Sequence, residues 1–215
     1  MYYIICRQNF RDVVTLENLT LFAVAVRICG KEGKKRMEQI SLKKPKTVAH
    51  WLELYRLYME AFPASERKPV WMILKMYCKG KTDIWCLEKN GEFVGLGITI
   101  NSEDLILLDY FAVKKKYRGC GIGSSAIKAL MRQYAGKGFF LEIESTLEEA
   151  PNQVQRKKRK QFYLSSGLKE LNVTAKLFGV NMELLGIDCQ MTYNAYQNFY
   201  RENYNEWAAD HISEC

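Results

Sequence analysis

Residues 109–130 constrain the chain more than any other stretch. An apolar run (105–108, then Tyr110 to Val113) ends in the basic Lys114, Lys115 and Lys116. Gly119, Gly121 and Gly123 follow at alternating positions, and a helical pattern starts at once. A strand that feeds a tight loop and a helix start leaves several backbone N–H groups without intrahelical partners, and such a terminus attracts phosphate. The glycines alone are equally well explained by turn geometry. Arg118 directly before them, and the small Ser124 and Ser125 directly after, favour a diphosphate cradle.

Bulk properties limit what can surround that cradle. With 215 residues, 48% of them hydrophobic, the chain can bury a core without metal or disulfide staples. Cys6, Cys29, Cys78, Cys86, Cys120, Cys189 and Cys215 form no Cys-x-x-Cys pair and no zinc spacing, so no metal site is expected. Their odd number and the lack of a secretory signature point to a reducing, cytoplasmic setting. The apolar stretch 19–28 is too short to span a bilayer and contains Arg27, so no membrane partner is expected. A net charge of +8 attracts anions, and both nucleic acid and a phosphorylated cofactor qualify.

The chain divides into an N-terminal extension of uncertain structure (1–47), a main domain (48–190) and a C-terminal segment (191–215) read as a helix packing on the domain or on a partner. Within the extension, residues 2–6 read as a strand, 15–29 as a strand pair or short helix, and 30–46 as a basic connection. Thr47 can cap a helix whose apolar face is Trp51, Leu54, Tyr55, Tyr58 and Phe62. Glu66 and Arg67 follow in a loop, as a solvated ion pair or at a cleft rim, and residues 70–77 form a second helix. Asn90-Gly91 is a hairpin signal, so residues 83–87, 93–100 and 105–113 form three antiparallel strands, with Gly95 and Gly97 marking weak points or close approaches. A helix over 124–136 then leads to a parallel strand at 139–143. Alternation puts Glu142 and Glu144 on one face of that strand, opposite Leu141 and Ile143. Residues 148–163 form a helix whose basic run, 156–160, is a solvated face, a phosphate contact or a nucleic-acid contact. Residues 178–187 form a final strand or hairpin. Residues 191–212 read as one aromatic amphipathic helix with Tyr193, Tyr196, Phe199, Tyr200 and Trp207.

Taken together, the segment Phe111-Ala-Val113, the motif Arg118-Gly-Cys-Gly-Ile-Gly123 and the later Phe162-Tyr-Leu-Ser-Ser-Gly-Leu168 resemble the GNAT N-acetyltransferase superfamily. The first motif matches the family's Arg-Gly-x-Gly-x-Gly form, and the second departs from its Phe-Tyr-x-x-x-Gly-Phe element only in Leu168. The likeness covers roughly residues 48–189. Where relatives often carry a cofactor-contacting Asn, this chain has Gln155 and Arg156, with Asn152 further upstream.

The resemblance implies an α/β fold of the α+β kind, with a mixed, mainly antiparallel central sheet, a splayed parallel strand pair and flanking helices. It implies acetyl-CoA as acetyl donor, with the backbone of Phe111, Ala112 and Val113 pairing with pantetheine amides. Arg118, Gly119, Cys120, Gly121, Ile122, Gly123 and Ser124 would surround the pyrophosphate. Tyr163 corresponds to the tyrosine that protonates the leaving sulfur. Glu142 and Glu144 are candidates to bind or deprotonate the acceptor, with Asp109 and Glu66 as further bases. The implied reaction is transfer of an acetyl group to a primary amine of a small molecule or protein. The alternative is a catalytically degenerate acyl-CoA-binding regulatory or interaction module. Nucleic acid is not expected as a partner, and a homodimer is left open.

Overall fold

The computed structural model describes residues 39–214, so the strand expected over 2–6, the strand pair or short helix over 15–29 and the first part of the connection over 30–46 lie outside the described residues. Within the rest of that connection, residues 41–43 form a strand instead. Among the described residues, eight strands form one sheet in the order β1-β2-β3-β4-β5-β7-β6-β8. They are β1 (Ser41–Lys43), β2 (Thr82–Lys89), β3 (Glu92–Asn101), β4 (Leu105–Val113), β5 (Gly138–Glu144), β6 (Lys169–Leu177), β7 (Val180–Ile187) and β8 (Ile212–Glu214). All neighbouring strands are antiparallel except β4 and β5. Among the described residues, six helices flank the sheet: α1 (Val48–Ala61), α2 (Val70–Cys78), α3 (Ile122–Gln133), α4 (Gln153–Ser166), α5 (Tyr193–Asn203) and α6 (Glu206–Asp210). This is the mixed, mainly antiparallel sheet with one parallel pair that the motifs implied.

Local chemistry accounts for most boundaries. The Thr47 hydroxyl accepts the His50 backbone N–H and opens α1, and Asn90 and Gly91 turn between β2 and β3 with φ of 51° and 81°. Gly167, at φ 113°, ends α4 in the left-handed conformation that glycine adopts without strain.

The sheet has one core on one side and two on the other. Helices α3 and α4 cover Leu87, Val94, Ile106, Leu108, Phe139, Leu141 and Ile143. On the opposite side, α1 and α2 pack on Ile84, Leu96, Ile98 and Tyr110, and α5 and α6 pack on Leu107, Phe140, Met182 and Leu184. Alternation within β4 explains how one strand serves all three. Ile106 and Leu108 face α3, but beyond Asp109 the parity reverses, so that Phe111 and Val113 join the α3 side and Tyr110 and Ala112 the α1 side. The cause is a bulge: Ile98 pairs with Tyr110 and Thr99 with Leu108, which leaves Asp109 as the extra residue.

Two further expectations need correction. Residues 191–212 are not one helix, because the chain breaks at Tyr204 and Asn205 between α5 and α6, where the Asn205 side chain caps α6 by accepting from Ala208 N–H. The segment then ends in β8, paired with β6. Strand β6 itself went unread, because its burial is irregular and Asn172, at φ 53°, interrupts its register with β7.

Helix α3 approaches the sheet closely at Gly97, where an added Cβ would lie 3.3 Å from a Leu130 methyl carbon. Leu130 is fully buried at that contact. Leu130→Ala should therefore lower the unfolding free energy by about 2–5 kcal/mol, measured as a shift in the urea midpoint at unchanged slope.

Candidate active site

Strands β4 and β5 pair at only three positions, Leu105 with Gly138, Ile106 with Phe139 and Leu107 with Phe140, and then part. Beyond Leu107, β4 keeps its β3 partners on one edge, while β5 continues along β7. The edge of β4 that faces the parting thus presents peptide groups with no strand partner, to which an extended amide-bearing ligand can bond.

The glycine loop stands at the head of this opening. Lys115–Tyr117 form one 3₁₀ turn, Arg118 Nε donates to the Val113 carbonyl at 3.0 Å, and Gly119 and Gly121 adopt φ of 78° and 77°. These left-handed residues turn the chain within a few positions, which a residue with a Cβ would do under strain. Gly121 is the N-cap of α3 and offers no side-chain cap, so the first N–H groups of the helix point outward with the positive end of its dipole.

The cleft so formed has a volume of about 470 Å³. Eight of the ten residues predicted for the cofactor line it: Phe111, Ala112, Val113, Arg118, Gly119, Gly121, Gly123 and Ser124. Cys120 does not, and the Ile122 side chain is buried in the α3 core, which leaves that residue only its backbone to offer. Tyr163 lines the same cleft from α4. None of the residues that complete the lining was assigned to the cofactor from the sequence, although Gln155 stands where relatives carry a cofactor-contacting Asn and a phosphate contact was one reading of the run 156–160. They are Phe62, Gln155, Lys158, Arg159 and Phe162. The last four recur at i, i+3, i+4 and i+7, one face of a helix, so the signal was present within the basic run.

That run is solvated only at Lys157 and Lys158. Arg156 is 8% exposed and donates to Glu144 Oε1 and to the Ser145 carbonyl, both at 3.0 Å. Arg159 Nη1 lies 3.5 Å from Glu144 Oε2, which also accepts from Asn152 at 3.2 Å. Lys160 bonds Glu170 and Glu183, while Lys157 is exposed. Glu144 is therefore held in a buried ion-pair cluster at the start of α4.

Glu142 and Glu144 share a pleat but not an environment. Glu142 Oε1 accepts from the hydroxyls of Tyr196 and Tyr200 on α5, each at 2.8 Å. Burial pushes its carboxyl up to about 7, opposed by those two hydrogen bonds and by Lys68, and reinforced by the charge of Asp109. Lys68 Nζ bonds Asp109 Oδ2 at 2.6 Å, with both side chains at most 2% exposed, and it also bonds the Tyr204 hydroxyl. Burial lowers the affinity of Lys68 for its proton and raises that of Asp109, and each partner opposes the other's shift. Glu66 is 1% exposed, not half of a solvated pair with Arg67. The Lys68 backbone is held by the hydroxyls of Tyr58 and Tyr110, which buries the loop after α1.

The structure thus brings Tyr163 and the glycine cradle into one cleft and collects Asp109, Glu142 and Lys68 on the α5 side of the strand parting. It places Glu144 in neither group.

Comparison with known proteins accords with this geometry. The acetyltransferase (GNAT) family profile matches residues 51–156. The chain has a GNAT-superfamily acetyltransferase fold. A GNAT-family protein from Bacteroides thetaiotaomicron superposes with a TM-score of 0.64 at 17% identity, covering 78% of this chain and 98% of that one. The microcin C7 self-immunity acetyltransferase, in complex with acetyl-CoA and AMP, gives 0.52 at 19% identity over 72% and 94%. An aminoglycoside 6'-N-acetyltransferase with coenzyme A gives 0.53 at 16% over 68% and 94%. A search of curated proteins gives no significant match. Among the described residues, no helix is long and apolar enough to cross a membrane.

Arg156→Met removes one charged hydrogen-bond partner of the buried Glu144 but leaves it Arg159 and Asn152, and should cost about 1.5–3 kcal/mol of stability, read from chemical denaturation.

Proposed function

We propose that the protein transfers an acetyl group from acetyl-CoA to a primary amine of a small molecule or protein. The observation that carries this reading is the shared cleft. An uncapped α3 N-terminus with its glycine loop, the unpaired edge of β4 and Tyr163 all line one opening of a size suited to an extended acyl carrier. The complexes of the microcin-immunity and aminoglycoside acetyltransferases with acetyl-CoA or coenzyme A support it.

The residues divide the work by position. Backbone N–H groups of Gly119 to Ser124 hold the pyrophosphate, and Arg118 ties the loop to the end of β4. Lys158 and Arg159 add positive charge along the α4 wall, where they screen the remaining phosphate of a coenzyme A donor. The backbone of Phe111, Ala112 and Val113 aligns the pantetheine arm, and an N–H near Val113 stabilises the oxyanion that develops during attack. Tyr163 gives its proton to the sulfur as the carbon–sulfur bond breaks. Glu142 takes the proton that the acceptor ammonium must lose before its nitrogen can attack. A carboxyl poised near 7 is ionised often enough to accept that proton at neutral pH.

Free-thiol release from acetyl-CoA, measured against simple amines, polyamines, aminoglycosides and peptides, tests the reading directly. Tyr163→Phe should lower kcat by a factor of about 10²–10⁴ with the acetyl-CoA affinity retained. Unchanged turnover on every accepted amine would remove Tyr163 from the acid role. Lys158→Ala should instead weaken acetyl-CoA binding with kcat retained, and the loss should shrink as salt is raised, as calorimetry at two ionic strengths would show.

A further inference from the structure

Helices α1 and α2 do not close over the sheet beneath them. Between them lies a groove of about 420 Å³ that shares no lining residue with the cofactor cleft. Trp51 and Tyr55 of α1 form one wall, Val70 and Leu74 of α2 form the other, and Leu96 and Ile98 of β3 form the floor. None of the described residues that line it carries a charge, and the Tyr58 hydroxyl beside it already donates to the Lys68 carbonyl at 3.0 Å.

The rims are apolar as well. On α1, Val48, Leu52, Tyr55 and Met59 recur at spacings of four, three and four, so they form one row along the helix, and all are at least 40% exposed. Trp71 and Leu74 extend the far rim, Trp71 at 62% exposure. Helix α1 is thus apolar over a wider arc than the described residues cover. A folded domain rarely leaves a joined patch of this kind in water.

The same chain holds a matching surface. Residues 19–28 read Leu-Thr-Leu-Phe-Ala-Val-Ala-Val-Arg-Ile, with Thr20 and Arg27 as the only polar side chains, and they lie outside the described residues. Residues 29–38 connect them to Gln39, and a link of that length reaches at most about 35 Å. The chain then enters β1, where Ser41 pairs with Glu88, four places along β2 from Ile84 at the groove. Four strand residues span about 13 Å, well inside that reach. A tethered segment also acts at an effective concentration on the order of millimolar, which a free partner does not have. Two copies meeting here across a two-fold axis set hollow against hollow, which fills neither.

We infer that residues 19–28 dock in the groove between α1 and α2 of their own chain and cover its exposed apolar rims. The docking braces α1, whose C-cap residue Phe62 lines the cofactor cleft and whose Glu53 pairs with Lys114 after β4. It does not depend on the acetyltransferase reading.

Photo-cross-linking of the full chain tests the docking. A benzophenone side chain replaces Leu74 or, in a second protein, Leu52, both at the exposed rim. Unlabelled and heavy-isotope-labelled chains are mixed before irradiation, and the linked peptides are read by mass spectrometry. Links should join either rim position to residues 19–28 within one chain. Phe22→Asp combined with Val24→Asp should lower their yield on the order of tenfold or more. The same probe at Lys157, exposed on α4, should give no such link. The Leu52 position keeps the test open if the change at Leu74 prevents folding. Links found only between differently labelled chains would give the groove to a second copy and overturn the inference. Links to a co-purifying lipid, or to no peptide at all, would overturn it too, as would an equal yield from Lys157 or from the doubly substituted chain.

Discussion

Most of this structure depends on the parting of β4 from β5 after three residue pairs. Continued pairing would satisfy the β4 edge internally and leave no room for a ligand beside it. The parting is imposed from both sides of the sheet. On one side, Phe111 and Val113 pack towards α3 and α4, with the Phe111 and Phe162 rings stacked at 6.3 Å. On the other, the Lys68–Asp109 pair and the α5 tyrosines fill the space that a straight sheet would close. The Asp109 bulge links the two, since it both reverses the parity of β4 and turns a carboxylate into that space.

Keeping three ionisable groups in such a place is expensive, and the structure offsets the cost in a specific way. Lys68 contacts Asp109, the Tyr204 hydroxyl and the faces of the Tyr204 and Tyr110 rings, at 4.4 and 5.7 Å. Such pairs contribute little net stability compared with apolar packing, but they penalise any arrangement that leaves one member alone. The cluster therefore acts as a lock on geometry. The same logic holds at the other end of the parting, where Arg156, Arg159 and Asn152 converge on Glu144 and fix the start of α4, the helix that carries Tyr163. Two carboxylates two residues apart thus serve different ends of the same opening.

Much of the fold was legible because the relevant signals are local. Thr47, Asn90-Gly91 and the glycine loop each determine backbone geometry through their own side chains or lack of them, and the structure has helix, hairpin and cradle at those places. Strand β6 and the break between α5 and α6 were not legible. Residues 169–177 alternate irregularly, and residues 193–210 stay amphipathic across the break, so hydrophobic periodicity carried no mark of either feature. Glu66 and Lys68 sit in a polar loop sequence whose composition argues for solvent. Their burial follows from contacts with Tyr58 and Tyr110, elsewhere in the chain.

The family resemblance, not the residues alone, linked Tyr163 to the glycine loop. By itself, the sequence determined the strand, glycine loop and helix in succession. These follow from backbone freedom at Gly119 and Gly121 and from helical spacing, which act within a few residues. Only the tertiary structure decided the fates of Glu142 and Glu144. Alternation correctly gives them the same pleat, but their chemistry is set by which distant groups arrive: Tyr196 and Tyr200 for one, Arg156 and Arg159 for the other. Charge and burial are properties of an assembled neighbourhood, and a pattern along one strand cannot carry them.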